Sequence, residues 1–176
     1  MNFYPTVLHG AWLIKLEPAF DSRGFFARTF CVEEFAAHGL EISYPQHSTS
    51  FSAHKGTLRG MHYQREPHSE VKVVRCVKGI IWDVIIDIRP SSPTYRRWQK
   101  FELSSATGDQ LYIPKGFAHG FQTLSDDVEV NYLISESYSP QSAGGIRYND
   151  PIFEITWPLA ATEISEKDLH WPDFVR

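Results

Sequence analysis

A chain of 176 residues amounts to about one domain, and no shift in composition divides it. Apolar residues make up 42% and charged residues 22%, a globular balance that excludes intrinsic disorder. A net charge of −4 excludes a general attraction for nucleic acid or an anionic membrane, so an anionic ligand requires a local group of Arg and Lys.

Helical signals are scarce along the chain. Residues 32–38 carry Glu33 and Glu34 in a first turn and are followed by Gly39 as a stop, which predicts one short helix. Short apolar or alternating runs predict strands at 12–16, 25–30, 57–64, 71–77, 80–88, 98–103, 110–113, 120–124 and 128–134. Turn chemistry lies between them, as in Arg89-Pro90-Ser91-Ser92-Pro93 and Ala106-Thr107-Gly108-Asp109. Many short strands at near-regular spacing predict an all-β antiparallel sandwich or barrel. A tail from about 159 to 176 is expected to pack near the end of that barrel, within a single domain covering 1–176. Two cysteines, Cys31 and Cys76, supply neither a disulfide framework nor a zinc spacing. The start of the chain shows no basic segment leading into an apolar run, and every apolar stretch is too short to cross a bilayer. The expected setting is the cytoplasm, without nucleic-acid or membrane partners.

The stretch Gly108 to His119 reads glycine, five residues, Pro114-x-Gly116, two residues, histidine. This resembles the second signature of cupins, the small double-stranded jelly rolls, with Thr123 where many carry Asn. In metal-binding cupins the other signature offers histidines at i and i+2, then a glutamate seven residues before a glycine. Alternation sets i and i+2 on one face of a strand, where they can grip a cation. Here the matching positions are His62, Gln64 and Lys72, the last lying seven before Gly79, with His119 from the other signature. An ammonium has no lone pair to offer, so the set reads as a cavity converted to handle negative charge.

Taken singly, these residues have ordinary explanations. His62 alone suits a satisfied interior histidine, and Tyr132 a core tyrosine in mid-strand. Asp168 can be a solvated charge on the tail. Alternation in 71–76 turns either Lys72 or the pair Val71 and Val73 inward, without choosing between them. The direction of Arg59 is equally open.

The segments LRGMHYQ (58–64), KVVRC (72–76), IPKGFAHGFQTL (113–124), SYSP (137–140), YND (148–150) and ITWP (155–158), with DSRGFF at 21–26, together resemble the dTDP-4-dehydrorhamnose 3,5-epimerase family. The resemblance implies a homodimeric cupin jelly roll with a few short helices. It also implies an isomerase that uses no metal or other cofactor and acts on a nucleoside-diphosphate 4-keto-6-deoxyhexose. By the family pattern His62 is the base, Asp168 fixes its tautomer, Lys72 stabilises the oxyanion at O4, and Tyr132 returns a proton on the opposite face. The same pattern assigns Arg23 and Arg59 to the pyrophosphate, His119 and Gln46 to the pocket, and Tyr138 and Phe26 to the region of the base. Arg28 stands where thymidine-using members carry an acidic residue. His47-Ser48-Thr49 and Ala143 depart from the pattern as well. An arginine can only donate, which suits a base whose ring nitrogen accepts, so a CDP-sugar is an alternative to dTDP. The rival activities are epimerisation at C3 or C5 alone, ketoisomerisation, a metal-dependent cupin reaction, and sugar-nucleotide binding without catalysis.

Overall fold

Residues 80–87 read Ile-Ile-Trp-Asp-Val-Ile-Ile-Asp, and both faces of this run are buried, as a strand inside a layered β-structure requires. The computed structural model describes residues 1–174. It contains β1 (Asn2–Pro5), β2 (Trp12–Lys15), β3 (Ala19–Asp21), β4 (Gly24–Phe26), α1 (Val32–Ala37), β5 (Gln46–Ser52), β6 (Leu58–Gln64) and β7 (Lys72–Lys78). There follow β8 (Ile80–Asp87), β9 (Trp98–Ser104), β10 (Gln110–Ile113), β11 (Phe117–Thr123), β12 (Val128–Ile134), β13 (Ala143–Gly145) and α2 (Glu166–Leu169). A six-stranded sheet runs β1-β2-β10-β7-β12-β5 and a five-stranded sheet runs β13-β6-β11-β8-β9, every ladder being antiparallel. The architecture is the antiparallel all-β sandwich expected from the strand spacing, in the jelly-roll form that the cupin resemblance implied.

Three apolar clusters hold the layers together. Between the sheets, Val74, Leu111, Val128 and Val130 meet Ile81, Ile85, Leu103, Phe117 and Phe121. Burying each such aliphatic side chain stabilises the fold by about 1.5–3 kcal/mol. On the outer face of the six-stranded sheet, Ile14, Val71, Val73 and Tyr112 pack under Phe35 of α1, helped by Phe30 and Tyr44. On the outer face of the five-stranded sheet, Met61, Val84, Ile86 and Ala118 lie beneath Ile146, Phe153 and Trp157 of the segment after β13. The tail from 159 is anchored by backbone: Leu58 N–H donates to Glu163 O at 2.8 Å, and Thr162 N–H to Gly56 O at 3.1 Å. The final two positions of the expected domain and tail lie outside the described residues.

Alternation left Lys72 undecided because both faces of β7 are buried. Val71 and Val73 point outward, but α1 covers them, and this frees Lys72 to point inward beside Val74 and Cys76. One expected strand is corrected. Of residues 25–30, only Phe25 and Phe26 join a strand, in the small β3–β4 hairpin. Phe30 instead packs edge-on against Phe35, ring centroids 4.9 Å apart.

The most consequential local feature joins β6 to β11. Gly60, at φ +140°, lies so close to Gly120 that a Cβ on it would sit 2.5 Å from the Gly120 Cα. The register slips there: His119 faces His62, whereas Phe121 faces Arg59. The slip turns Arg59 and His62 toward one cavity although they are three residues apart.

Candidate active site

Polar side chains occupy the inward positions that the aliphatic cluster leaves unfilled, and a cavity of about 710 Å³ opens between the sheets. His62, Arg59 and His119 reach it from the five-stranded sheet, and Lys72, Tyr132 and Gln46 from the six-stranded one. Asp168 comes from the tail, and Tyr138 from the loop after β12.

His62 Nε2 donates to Asp168 Oδ1 at 2.6 Å, which leaves Nδ1 as the nitrogen able to take a proton. The carboxylate is held at the start of α2, where Ser165 caps the helix by accepting from Asp168 N–H at 3.1 Å. Asp168 is only 4% exposed, and burial by itself raises its pKa. Hydrogen bonds from His62, Gly60 N–H and the Trp171 indole, with the His62 charge, outweigh burial and hold it below the usual carboxylate value. The partner of His62 is therefore ionised at neutral pH.

A second histidine–carboxylate pair lies deeper. His119 Nε2 donates to Asp83 Oδ2 at 2.8 Å, with both side chains almost fully buried. The His119 ring stands edge-on to Tyr132 at 6.4 Å between centroids. The Tyr132 hydroxyl shares a 3.1 Å hydrogen bond with Ser50 Oγ. Burial pushes this phenol well above its ordinary pKa, so it stands protonated and ready to donate. Lys72 Nζ is 2.9 Å from Glu70 Oε1, and both side chains are nearly enclosed, at 12% and 10% exposure.

The four positions that match the metal-binding cupin signatures converge as expected, since His62, Gln64, Lys72 and His119 all line the cavity. Gln64 is occupied by backbone: its amide donates to His68 O and Ser137 O, and its oxygen accepts from Ser139 N–H. Both histidines are engaged by carboxylates. Arg59 is steadied by Ser52 Oγ at 3.0 Å and Phe51 O at 2.8 Å, with guanidinium hydrogens left over for an anion. Gln46 Oε1 accepts from Tyr138 N–H at 3.0 Å, which fixes that half-exposed ring at the mouth.

Three expected site residues are not brought to this cavity. Arg23 and Phe26 ride on the exposed β3–β4 hairpin, where Arg23 pairs with Asp21 and Phe26 is 79% exposed. Arg28 Nη1 is taken up by Glu34 Oε1 at 2.8 Å. The sequence argument for a CDP-sugar from Arg28 therefore finds no support in the geometry of this cavity, whose rim holds the neutral Ser48, Thr49 and Ala143.

Four lining or supporting residues escaped the sequence reading. Glu70 was legible, because it lies two before Lys72 and shares its face. Asp83 was legible as a charge in the middle of an otherwise apolar run, Ile80 to Ile86. Ser50 lay in β5, a strand that was not predicted. Trp171 follows Asp168 by three residues and lies just past α2, a helix of only four residues that no periodicity could reveal.

The profile of the family described as dTDP-4-dehydrorhamnose 3,5-epimerase matches residues 5–176. The chain belongs to this family. The epimerase of Methanothermobacter thermautotrophicus is 43% identical over 97% of this chain and 92% of its own length. The Bacillus anthracis epimerase, solved with TDP and PPi bound, superposes with a TM-score of 0.95 at 36% identity, covering 98% of this chain and 99% of that one. The Legionella pneumophila epimerase, solved with dTDP-4-keto-L-rhamnose, reaches 0.91 at 36% identity, covering 97% and 90%. Among the described residues, no helix of this epimerase-family chain is long and apolar enough to cross a membrane.

Proposed function

We propose that this chain inverts C3 and C5 of dTDP-4-dehydro-6-deoxy-D-glucose, producing dTDP-4-dehydro-L-rhamnose, and that it does so with side-chain chemistry alone. One observation carries the reading. The imidazole of His62 and the phenol of Tyr132 face a single cavity from opposite sheets, with the Lys72 ammonium on the same wall as the phenol. Inversion requires a base on one side of a ring carbon and a proton donor on the other, because one group returning its own proton restores the starting configuration.

The C4 ketone acidifies the hydrogens on C3 and C5. His62 Nδ1 takes one of them, and the electron pair moves into the C4–O bond as an enolate. Asp168 stabilises the resulting imidazolium and holds its tautomer. Lys72, itself nearly enclosed, meets the oxygen anion with its positive charge. Tyr132 protonates the carbon from the other side, and the two residues then exchange their protons through solvent before the next carbon. Arg59 serves the pyrophosphate through charge-assisted bonds, and Tyr138 packs on the base at the mouth. His119, held by Asp83, orients the phenol edge-on.

In D2O, the product from the dTDP-linked 4-keto sugar should carry deuterium at both C3 and C5 by NMR, at a rate matching turnover. Uptake at one position would make the protein a mono-epimerase, and no uptake would make it a binding module. The CDP-linked sugar, run in parallel, should be at least about tenfold poorer in kcat/KM, because Arg28, the donor on which the CDP reading rested, is engaged by Glu34 away from the cavity.

The working unit is a homodimer in which Arg23 and Phe26 of one copy complete the cavity of the other. These residues project away from their own cavity on a hairpin exposing Phe20, Phe25 and Phe26, an apolar surface that solvent does not favour. Co-expressing Arg23→Ala with His62→Asn chains tests this. Mixed dimers hold one intact site, so the mixture should recover about a quarter of wild-type activity. A mixture no more active than either variant alone would place both residues in one chain's site.

A further inference from the structure

Trp171 lies within the stretch that the family profile matches but in none of the short motifs read from the sequence, and it touches the catalytic pair. Its indole Nε1–H donates to Asp168 Oδ1 at 3.2 Å, the same oxygen that His62 Nε2 approaches at 2.6 Å. The other oxygen, Oδ2, accepts from Gly60 N–H at 3.3 Å. The ring fits where only a glycine permits it: a Cβ on Gly145 would lie 2.1 Å from Trp171 Cε2. Gly145 is also the β13 residue paired with His62. The indole thus rests on β13 beside the imidazole, ring centroids 6.4 Å apart, with Lys167 Nζ 5.1 Å from its own centroid.

We infer that Trp171 is a positioning residue, whose indole N–H shares Asp168 Oδ1 with His62 and so limits how tightly that carboxylate holds the protonated imidazole. The inference rests on His62 being the base. An acceptor oxygen divided between two donors offers less to each, and a base that clings to its proton is slow to release it for the second epimerisation. Docking of the tail has separate supports, namely Thr162 N–H to Gly56 O, Leu58 N–H to Glu163 O, and Leu159 N–H to Gln122 Oε1 at 3.1 Å. The Trp171→Phe variant therefore removes the N–H while Asp168 stays in place. The other charged or titratable groups around the pair are unchanged by it: Lys167 and Glu163 on the tail, Arg59 on β6, Glu70 and Lys72 at β7, Tyr132 on β12, and His119 with Asp83 on β11 and β8.

The direction of a pH shift separates positioning from mere support. In Trp171→Phe, Asp168 Oδ1 turns wholly to His62. The NMR titration midpoint of the His62 ring, assigned by its loss in His62→Asn, should then move to higher pH. The acid limb of kcat/KM should move the same way, with kcat at neutral pH falling about threefold to tenfold. If the indole only held the tail down, its loss would free Asp168, and both would move to lower pH, as in Asp168→Asn; that result, or no movement, overturns the inference. The wild-type chain supplies a reading that needs no Trp171 variant. The indole N–H resonance of Trp171 should shift as His62 titrates, and a resonance indifferent to that transition also overturns it. The NMR titration stands whether or not the sugar turns over, and deuterium uptake by the wild type reports separately on the epimerase reading.

Discussion

Exchange of His62 for Asn should abolish deuterium uptake at both C3 and C5, lowering kcat by about 10²–10⁴-fold, which corresponds to about 3–5 kcal/mol of transition-state stabilisation. Asparagine is too short to reach Asp168 Oδ1, but the buried carboxylate keeps its hydrogen bonds from Gly60 N–H and the Trp171 indole, so it is not orphaned and the tail remains docked. The amide has no basic nitrogen, and only the proton transfer is lost. Nucleotide affinity should stay within about twofold of wild type, because Arg59 and Tyr138 are untouched and their supports lie on β5. Isothermal titration with dTDP beside NMR exchange in D2O separates the two effects. Exchange at the normal rate in this variant would move the base to another residue.

The second large effect is expected at Lys72. Replacement by Met preserves much of the stem and removes the charge proposed to meet the enolate oxygen, and kcat should fall about 10²–10³-fold with KM little changed. Glu70 complicates the single substitution. It is 10% exposed and its partner is the Lys72 ammonium, so the variant strands an enclosed carboxylate, destabilising the fold by about 1–3 kcal/mol. The double variant Glu70→Gln, Lys72→Met removes that penalty, and should regain wild-type melting behaviour without regaining activity. Activity restored together with stability would mean that the lysine serves folding and leaves the oxyanion to other donors.

Much of the fold was legible because its strands alternate or run apolar between clear turns. Strands β10 and β12 lie where the pattern set them. What escaped has physical causes. Strand β5, Gln-His-Ser-Thr-Ser-Phe-Ser, is polar because it forms one edge of its sheet and half lines a wet cavity. Strands β1, β3 and β13 are three or four residues long, too short for any periodicity. The site was legible to a different degree. His62 and His119 followed from the cupin spacing, and Lys72 from a position where a carboxylate was due. The partnership of Arg59 with His62 was not readable, since three residues of regular strand would oppose them and only the Gly60–Gly120 approach brings them to one side. Nor does any local rule pair His62 with a carboxylate 106 residues away.

That long separation bears on how the enzyme comes to life on the ribosome. Among the described residues all thirteen strands precede Ser165, so the sandwich leaves the ribosome before α2 does. On the proposed mechanism, chemistry waits for α2 to deliver the Asp168 carboxylate. A nascent or proteolytically clipped product ending before Ser165 would be a well-folded competitor for sugar nucleotide, sequestering it without turning it over.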